Sequence, residues 1–473
     1  MTSTTHPHLL ALETFLTSHP EIKYTPPSDP CFTDLSKIFV RKSPPETPLA
    51  IVHPQTPSAV TSLIKHAKET FTPFTIRSGG HNLEGRAISK DALCIDLRSL
   101  NTVVVSPDRK TATVGGGILQ SGLGARLWEH GLATATGAIP DVGYAGWAMY
   151  GGYGPFSSHW GLGVDQIVGA RVVDGQGEII DADEELLSGI RGAGGVFGVV
   201  VELDVRVYPL TGFLAGPILF DSSDIEKAFV TFNTAYNDLA ATDPLPGQLT
   251  LQRLVFNAPT GLLFGVSFVW SGSSTELEEG QAWIQKIASL CPVILNAVIP
   301  TTIPEWSAAN GNLPKALFGR SRTHNLSTIS DKMARVIGRN LALMPADPGA
   351  MFSIHQLRGD SPSAGPGSQE ERNANVFVTR EPHYMLEILG FASTMDILPA
   401  STDWAENMAR EIEAAEPESV LPTVYLSLWD SGTAGGVEEV LDRVYGEKEE
   451  VVRALKRRVD PEGLFRLAVP VVE

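Results

Sequence analysis

Three glycine-rich segments contain residue types that could bind a phosphate-bearing ligand. A strand ending in Ser-Gly-Gly lets successive backbone N–H groups point at one spot. Such a nest binds pyrophosphate oxygens, and the missing side chains allow a close backbone approach. The alternative is that the glycines only serve tight turns, which is the better explanation for any one segment alone. The order of all three favours ligand binding. The segments are residues 77–85, 137–165 and 191–200.

Motifs of several other chemistries are missing. No G-x-G-x-x-G fingerprint follows a strand, and there is no G-x-x-x-x-G-K-[ST] loop, H-E-x-x-H motif or G-x-S-x-G elbow. The 11 histidines are scattered, and the three cysteines lack metal-ligand spacing. These absences disfavour a nicotinamide dehydrogenase, an NTPase, a zinc protease and a typical esterase. They also predict no bound metal.

Composition and charge restrict the partners. The 473 residues include 36 basic and 54 acidic side chains, giving a formal net charge of −18. An acidic surface repels phosphates, which argues against nucleic acid and anionic membranes as partners. No run approaches about 20 consecutive apolar residues. Residues 1–20 also lack the pattern of a signal peptide. We therefore expect a soluble, intracellular and cytoplasmic protein.

Alternating helices and strands are predicted to position the glycine-rich segments within residues 1–210. Thr56-Pro57 is a typical helix start, because threonine caps a helix and proline suits the first helical position. Alternation of apolar and polar side chains along residues 199–207 predicts a strand with one buried face. The other predicted strands are residues 74–77, 93–97, 103–105, 111–114, 168–173 and 178–180.

A different pattern follows residue 209. Amphipathic helices are predicted at 223–243 and 274–290, and strands at 249–256 and 262–270, joined by a turn over 257–261. This mixture indicates an α+β lobe with a mostly antiparallel sheet. The polar segment 359–373 is predicted to be a mobile loop, and residues 447–458 a charged helix.

The three glycine-rich segments resemble the flavin-binding signature of the vanillyl-alcohol-oxidase superfamily, most closely its berberine-bridge-enzyme-like branch. Residues 425–430 and 456–465 resemble the terminal motifs of that branch. The resemblance implies a two-domain α+β fold in which an antiparallel sheet and helices cover an FAD. It implies an FAD-binding domain over residues 1–210, a substrate-binding domain over 211–415, and a C-terminal segment, 416–473, that returns to the first domain.

The resemblance also implies specific cofactor contacts. His81 matches the histidine that bonds covalently to a methyl carbon of the flavin ring in the family. A cysteine often forms a second link, but Ile139 stands at its position, so we expect a single tether. The residues predicted to bind FAD are Arg77, Ser78, Gly79, Gly80, His81, Asn82, Gly137, Val142, Gly143, Gly146, Gly151, Gly152, Gly154, Leu162, Asp165, Gly195 and Val199.

The chain departs from the family pattern near the expected flavin ring. Ala145 and Trp147 stand where G-G-H is usual, and Tyr150 replaces a glycine, so aromatic bulk is expected to reshape the pocket. Val142 matches a position at which a small aliphatic residue is associated with oxygen access. That match favours an oxidase over a dehydrogenase.

A catalytic base is predicted at Glu387. It matches a glutamate that relatives carry on a strand, here residues 378–391. A carboxylate among apolar neighbours must be paired, exposed or functional. Burial is expected to raise its pKa, although an exposed strand position is an equal alternative. Leu428 replaces the tyrosine of relatives, which excludes a tyrosine base there. Tyr425, predicted in a strand, lines either the pocket or the core.

We therefore predict an FAD-linked oxidase that removes two electrons from a small organic molecule, with O2 as electron acceptor. The resemblance favours a secondary metabolite as substrate. Two alternatives remain open: a flavin-bound cyclase or isomerase with no net redox change, and a non-catalytic flavin-binding scaffold. The sequence does not indicate an oligomeric state.

Overall fold

The computed structural model describes residues 6–311, 314–358, 374–429 and 436–472. The predicted loop at 359–373 lies outside these residues. The strands are β1 (Ile22–Thr25), β2 (Ala50–Pro54), β3 (Phe74–Arg77), β4 (Leu93–Asp96), β5 (Val103–Val105), β6 (Thr111–Gly115), β7 (Leu132–Ala133), β8 (Ile167–Val173), β9 (Ile179–Asp181), β10 (Val199–Arg206), β11 (Tyr208–Pro209), β12 (Leu214–Phe220), β13 (Leu249–Ala258), β14 (Gly261–Trp270), β15 (Val293–Asn296), β16 (Ile299–Pro300), β17 (Phe318–Leu326), β18 (Ala350–Leu357) and β19 (His383–Ala392).

The helices in the same residues complete the α+β architecture. They are α1 (Pro7–Leu16), α2 (Phe32–Leu35), α3 (Pro57–Glu69), α4 (Gln120–Trp128), α5 (Tyr144–Met149), α6 (Ser157–Trp160), α7 (Gly163–Gln166), α8 (Glu184–Ala193), α9 (Ile225–Thr242), α10 (Leu277–Ala288), α11 (Ile303–Ala309), α12 (Asp331–Leu341), α13 (Leu398–Ala415), α14 (Gly436–Tyr445) and α15 (Glu449–Val459).

A small sheet in the order β1-β2-β4-β3 places the first glycine-rich segment. Its central pairs, β2 with β4 and β4 with β3, are parallel. Helix α3 begins as predicted, with the Thr56 side chain accepting a hydrogen bond from the Ala59 amide at 3.2 Å. Because β3 ends at Arg77, Ser78-Gly79-Gly80 leaves the sheet at the end of that strand.

A five-stranded antiparallel sheet, β5-β6-β10-β8-β9, carries the other two glycine-rich segments on its connections. The predicted hairpins β5–β6 and β8–β9 are both present. The prediction of one buried face for β10 was wrong. A register shift between Val200 and Glu202 interrupts its pairing with β8. Val199 and Val201 pack in one core, whereas Leu203 and Val205 pack in another. A bulge of this kind exchanges the faces of a strand.

The large antiparallel sheet contains β15-β12-β14-β13-β18-β19-β17, with β16 paired to β12. The turn between β13 and β14 is shorter than predicted, because Asn257 and Ala258 still pair across the hairpin, with Leu262 and Gly261. The strand that carries Glu387 is also shorter than predicted: β19 begins at His383 rather than near residue 378.

The two faces of this sheet differ in chemistry. One face, with Phe352, Leu386 and Ile388, packs in a large apolar core together with α9, α10, α12 and α13. The opposite face carries Met385 and Leu389 among polar neighbours, and it packs against side chains of the glycine-rich segment 137–165. Glu387 lies between Met385 and Leu389 in the strand. Strand alternation therefore directs its side chain towards the glycine-rich segment 137–165.

Among the residues that the structure describes, no helix combines the length and apolar character needed to cross a bilayer.

The buried face of the sheet supplies a stability test. Phe352 is fully buried and packs edge-on against Phe229, with ring centroids 6.2 Å apart. We expect Phe352→Ala to lower the free energy of unfolding by about 3–5 kcal/mol, since it removes a buried ring and leaves a cavity. Urea unfolding followed by tryptophan fluorescence measures this change. Phe71→Ala is the matched control, because Phe71 is 84% exposed and its loss should cost less than about 0.5 kcal/mol. Equal midpoints for the two variants would contradict the assignment of this core.

Candidate active site

Two of the glycine-rich segments touch backbone to backbone. A Cβ added to Gly79 would lie 2.2 Å from the Gly143 nitrogen and 2.5 Å from the Asp141 carbonyl oxygen. A Cβ added to Gly143 would in turn lie 2.3 Å from the Ser78 Oγ. Neither position can hold a larger residue unless the backbone moves. The segments therefore meet in the way expected of a backbone cradle for a phosphate group.

Within this contact, the Ser78 hydroxyl is buried and has no hydrogen-bond partner among the described residues. A buried hydroxyl normally has a partner, so the Ser78 hydroxyl can form a further hydrogen bond to a ligand. Gly80 has a φ of 76°, a conformation that favours glycine. The unpartnered hydroxyl and the glycine cradle both fit the pyrophosphate of a bound dinucleotide such as FAD.

The His81 side chain is held by two neighbours, Asp141 and Phe39. Its Nε2 lies 3.1 Å from the Asp141 Oδ1, and its ring stacks on Phe39 with centroids 5.3 Å apart and planes inclined by 25°. Lys315 pairs with the other oxygen of Asp141. Burial by itself would raise the pKa of the Asp141 carboxyl. The neighbouring His81 and Lys315 outweigh burial and hold that pKa well below its usual range. Asp141 is therefore ionised beside His81.

Trp147, one departure from the family pattern, fills space left by glycines. Its indole would meet a Cβ added to Gly137 at 3.2 Å, to Gly152 at 3.2 Å or to Gly154 at 3.3 Å. Its Nε1 donates a hydrogen bond to the Tyr153 carbonyl at 3.1 Å. The aromatic bulk predicted near the pocket is therefore packed into the segment itself.

The remaining predicted glycines play different structural parts. A Cβ at Gly195 would lie 2.3 Å from the Tyr150 hydroxyl, so this glycine accommodates the second departure. Gly151, with a φ of 132°, leaves room for Phe377 and Tyr425. Nothing lies within 4 Å of a Cβ added to Gly146. Val199 is a buried residue at the start of β10.

Some predicted cofactor residues have their side chains occupied by protein. The buried Arg77 guanidinium donates to Asp96, with its Nη2 2.5 Å from Oδ2. The Asn82 side chain accepts from the backbone amides of Glu84 and Arg86, which shapes the turn after His81. The Arg77 guanidinium and the Asn82 Oδ1 are therefore engaged within the protein.

The Asp165 side chain is likewise occupied by protein groups, namely Arg380 and the Leu162 amide. The Asp165 Oδ1 pairs with Arg380 at 2.6 Å, and its Oδ2 accepts from the Leu162 amide at 2.9 Å. Both partners in the ion pair are largely buried. This pair connects the second glycine-rich segment to the chain that leads into β19.

Glu387 belongs to a polar cluster on the large sheet. Ser353 lies directly opposite it on β18 and donates a short hydrogen bond to its Oε2. The His355 Nε2 lies 3.7 Å from its Oε1. The Glu387 side chain is only 18% exposed. The carboxylate is therefore both buried and partnered, not the exposed strand position that was the alternative.

The predicted direction of the Glu387 pKa shift was wrong. Burial alone would raise the pKa, but the charge and hydrogen bond of His355, together with the Ser353 hydroxyl, outweigh burial and lower it. The sequence could not indicate this, because Ser353 and His355 reach Glu387 only through sheet pairing.

Tyr425 and Tyr153 face each other beside this cluster, with ring centroids 4.9 Å apart at 70°. Tyr425 precedes the short 3-10 turn Leu426–Leu428 and is not in a strand as predicted. Burial raises the pKa of Tyr425 to about 12. The Tyr153 hydroxyl lies 2.7 Å from the His383 Nε2, and burial lowers the pKa of His383 to about 4. The Nε2 of neutral His383 therefore accepts a hydrogen bond from the Tyr153 hydroxyl.

A small cavity of about 10 Å³, room for one water molecule, lies between the glycine-rich segment 137–165 and the large sheet. It is lined by Ala138, Gly154, Pro155, Thr250, Gln252, Ser267, Val269 and Trp306. The Gln252 amide donates to the Ser353 hydroxyl at 3.1 Å, which in turn donates to Glu387. A chain of two hydrogen bonds therefore joins the cavity wall to the carboxylate.

Sequence analysis missed several of these residues. Tyr153 lies inside a segment whose sequence signal is its glycines. Asp141 lies two positions after Ile139 and belongs to no motif of its own. Ser353, His383 and Gln252 had no sequence signal, because each acquires its partner through sheet pairing or packing. No group of three or more His, Cys, Asp or Glu side chains able to hold a metal ion occurs in the part of the chain that the structure describes.

Comparisons with known proteins agree with the site geometry. An FAD binding domain family matches residues 48–183. The FAD-linked oxidoreductase aurO of Gibberella zeae is 31% identical over 451 residues, covering 94% of this chain and 85% of the relative.

Solved structures share the fold. BBE-like 1 of Physcomitrella patens matches with a TM-score of 0.81 at 18% identity, covering 98% of this chain and 99% of that one. The glucooligosaccharide oxidase of Acremonium strictum, described as carrying 6-S-cysteinyl, 8α-N1-histidyl FAD, matches with the same TM-score, identity and coverage. The predicted α+β fold is confirmed. The chain belongs to the FAD-linked oxidoreductases, and it shares the fold of the BBE-like structure.

Proposed function

We propose that this FAD-linked oxidoreductase is an oxidase that removes two electrons from a small organic molecule and passes them to O2. The observation that carries the proposal is the partly buried, ionised Glu387, held by Ser353 and His355 on the sheet face that packs against the glycine-rich segment 137–165. A buried ionised carboxylate is costly unless it is partnered, and such groups concentrate at functional sites.

The cofactor would be held by the cradle already described. Ser78, Gly79 and Gly143 would receive its pyrophosphate, and His81 would bond covalently to its flavin ring. Bound FAD would accept the two electrons from the substrate as one hydride. The single tether follows from Ile139, and the known histidyl linkage in the glucooligosaccharide oxidase supports the role of His81.

Glu387 would take the proton that the substrate loses. Proton removal by a positioned base typically contributes about 10²–10⁴-fold in rate. The lowered pKa keeps Glu387 ionised at neutral pH, which is the form that can accept a proton. Ser353 fixes its orientation, and Gln252 extends the hydrogen-bonded chain to the cavity.

Tyr153 and Tyr425 would orient the substrate rather than act as bases. Burial raises the pKa of both hydroxyls, so both are protonated at neutral pH. The Tyr153 hydroxyl donates to His383 and can only accept from a substrate, whereas the Tyr425 hydroxyl could donate to one. The polar groups beside Glu387, which are the Ser353 hydroxyl, the His355 ring and the Gln252 amide, suit a small molecule that carries hydroxyl or carbonyl groups, such as a secondary metabolite.

The covalent link is the first test. His81→Ala should lose covalent flavin, so that acid precipitation leaves the yellow colour in the supernatant, whereas wild-type protein keeps it in the pellet. Intact mass should exceed that of the apoprotein by one FAD in the wild type only. His130→Ala, at an exposed histidine, is the matched control and should keep the colour. Flavin still bonded to the chain in His81→Ala would exclude this attachment site, and a cysteine-linked flavin peptide would contradict the single tether.

Oxygen use is tested at Val142, which is half-buried in the loop that contacts Gly79. Val142→Leu should slow reoxidation of the reduced flavin by O2, because added bulk narrows the approach, while substrate reduction stays nearly unchanged. Stopped-flow absorbance separates the two half-reactions. Val104→Leu makes the same change at a position that is 63% exposed and should leave both rates unaltered. Identical reoxidation rates in Val142→Leu and wild type would refute this oxygen path.

The base is tested by Glu387→Gln, which keeps the shape and removes the charge. We expect unchanged flavin content and a rate of anaerobic flavin reduction lower by at least about a hundredfold. The wild-type rate should rise with pH through an ionisation below 4.5, the ordinary value for glutamate, and then stay level to neutral pH, because the carboxylate is the active form. The variant should lack this rise.

Glu381→Gln, at an exposed carboxylate just before β19, is the control for this change. A near wild-type rate in Glu387→Gln, with the same pH profile, would remove Glu387 from the mechanism. Failure of every aromatic and sugar substrate in a panel to bleach the flavin anaerobically would favour the cyclase, isomerase or scaffold alternatives.

A further inference from the structure

The ion pair between Asp141 and His81 differs from an ordinary surface ion pair, because the backbone of Asp141 is also in close contact with the loop that carries His81. The Asp141 Oδ1 lies 3.1 Å from the His81 Nε2, and the backbone carbonyl of Asp141 lies where a Cβ on Gly79 would collide. The backbone of Asp141 is therefore fixed relative to the loop that carries His81. Most surface ion pairs join side chains on mobile stems and contribute little; this pair joins two loops locked by backbone contact.

The second carboxylate oxygen of Asp141 pairs with a lysine that is distant in the chain. Lys315, which pairs with it, lies just before β17 of the large sheet. Phe39 stacks on the imidazole, and its amide donates to the Gly80 carbonyl at 3.1 Å. The ring of His81 is thus restrained in plane by Phe39 and in rotation by Asp141.

We propose that Asp141 is a positioning residue for covalent flavin attachment, holding His81 with its Nε2 proton toward the carboxylate so that Nδ1 presents the free lone pair. A carboxylate that accepts from one ring nitrogen fixes the tautomer of the other. The proposal rests on the covalent link at His81 within the proposed function. It assigns Lys315 the part of keeping Asp141 in place.

The attachment step balances with oxygen as the co-reactant. A bond forms between Nδ1 and the methyl carbon of the flavin ring, while the methyl group and the imidazole each lose one hydrogen. The two electrons pass first to the flavin and then to O2, which takes up both hydrogens and becomes H2O2. O2 is the acceptor that the proposed oxidase already uses.

The test follows bond formation in apoprotein mixed with FAD in air. The covalent fraction of the bound flavin is read over time by intact mass after acid quench. Asp141→Asn keeps the shape of the side chain and removes its charge. We expect its rate per bound FAD to fall by at least about tenfold, the lower end of what a carboxylate partner contributes to a functional imidazole. Lys315→Met, at a half-exposed side chain, should also slow the step, but by less.

A second readout examines the linkage itself. NMR of the flavin peptide from digested wild-type protein should show attachment through Nδ1 alone. Residual adduct from Asp141→Asn should contain both nitrogen isomers, since the tautomer is no longer fixed. A residue with a merely structural role would not alter this ratio.

The matched control is Asp243→Asn, which removes another partly exposed carboxylate paired with a lysine, Lys286, far along the chain. It should form the bond at the wild-type rate. Wild-type rates in both Asp141→Asn and Lys315→Met, or attachment of wild-type protein through Nε2, would overturn the proposal while leaving the His81 link intact. Absence of covalent flavin in the wild type would instead overturn the proposed link. If Asp141→Asn does not fold, Lys315→Met and the linkage isomer decide the outcome.

Discussion

The constraint on which the site depends is the backbone contact between the loop after β3 and the loop before α5. At Gly79 and Gly143 the two chains approach so closely that neither position has room for a Cβ. This contact buries the Ser78 hydroxyl without a partner and brings Asp141 beside His81. Loss of either glycine would separate the loops. The close contact at Ser78 and the pairing of His81 with Asp141 would then be lost together.

A second constraint concerns the large sheet, because one of its faces packs in the apolar core and the other carries the polar groups of the site. The face with Phe352 and Ile388 is filled by apolar side chains from the surrounding helices, which stabilises the sheet. The other face can therefore accept polar groups that do little for stability. Glu387 is tolerated there because Ser353 and His355 compensate for its burial. A rigid sheet also holds such a group more accurately than a loop would.

Departures from the family pattern are matched by small neighbours. Trp147 occupies space that Gly137, Gly152 and Gly154 leave empty, and Tyr150 lies where a side chain at Gly195 would collide. These large side chains replace missing volume inside the glycine-rich segment, so the close packing of the interior is preserved. The departures therefore change the packing of this segment around the site without disrupting its fold.

The sequence by itself determined the local elements and the positions of the glycine-rich turns. Helical spacing after Thr56, the hairpins of the second sheet and the Ser-Gly-Gly turn are encoded by neighbouring residues, so they could be predicted from periodicity and turn chemistry. Predictions from the sequence were wrong where a feature depends on a residue that is distant in the chain. The faces of β10 exchange because of a bulge formed with β8. The pKa of Glu387 falls because β18 places Ser353 and His355 beside it. The grip of Asp141 on His81 exists only because two loops pack together. Such contacts are set by strand register and tertiary packing, which join residues far apart in the chain, and no local pattern of amino acids records them.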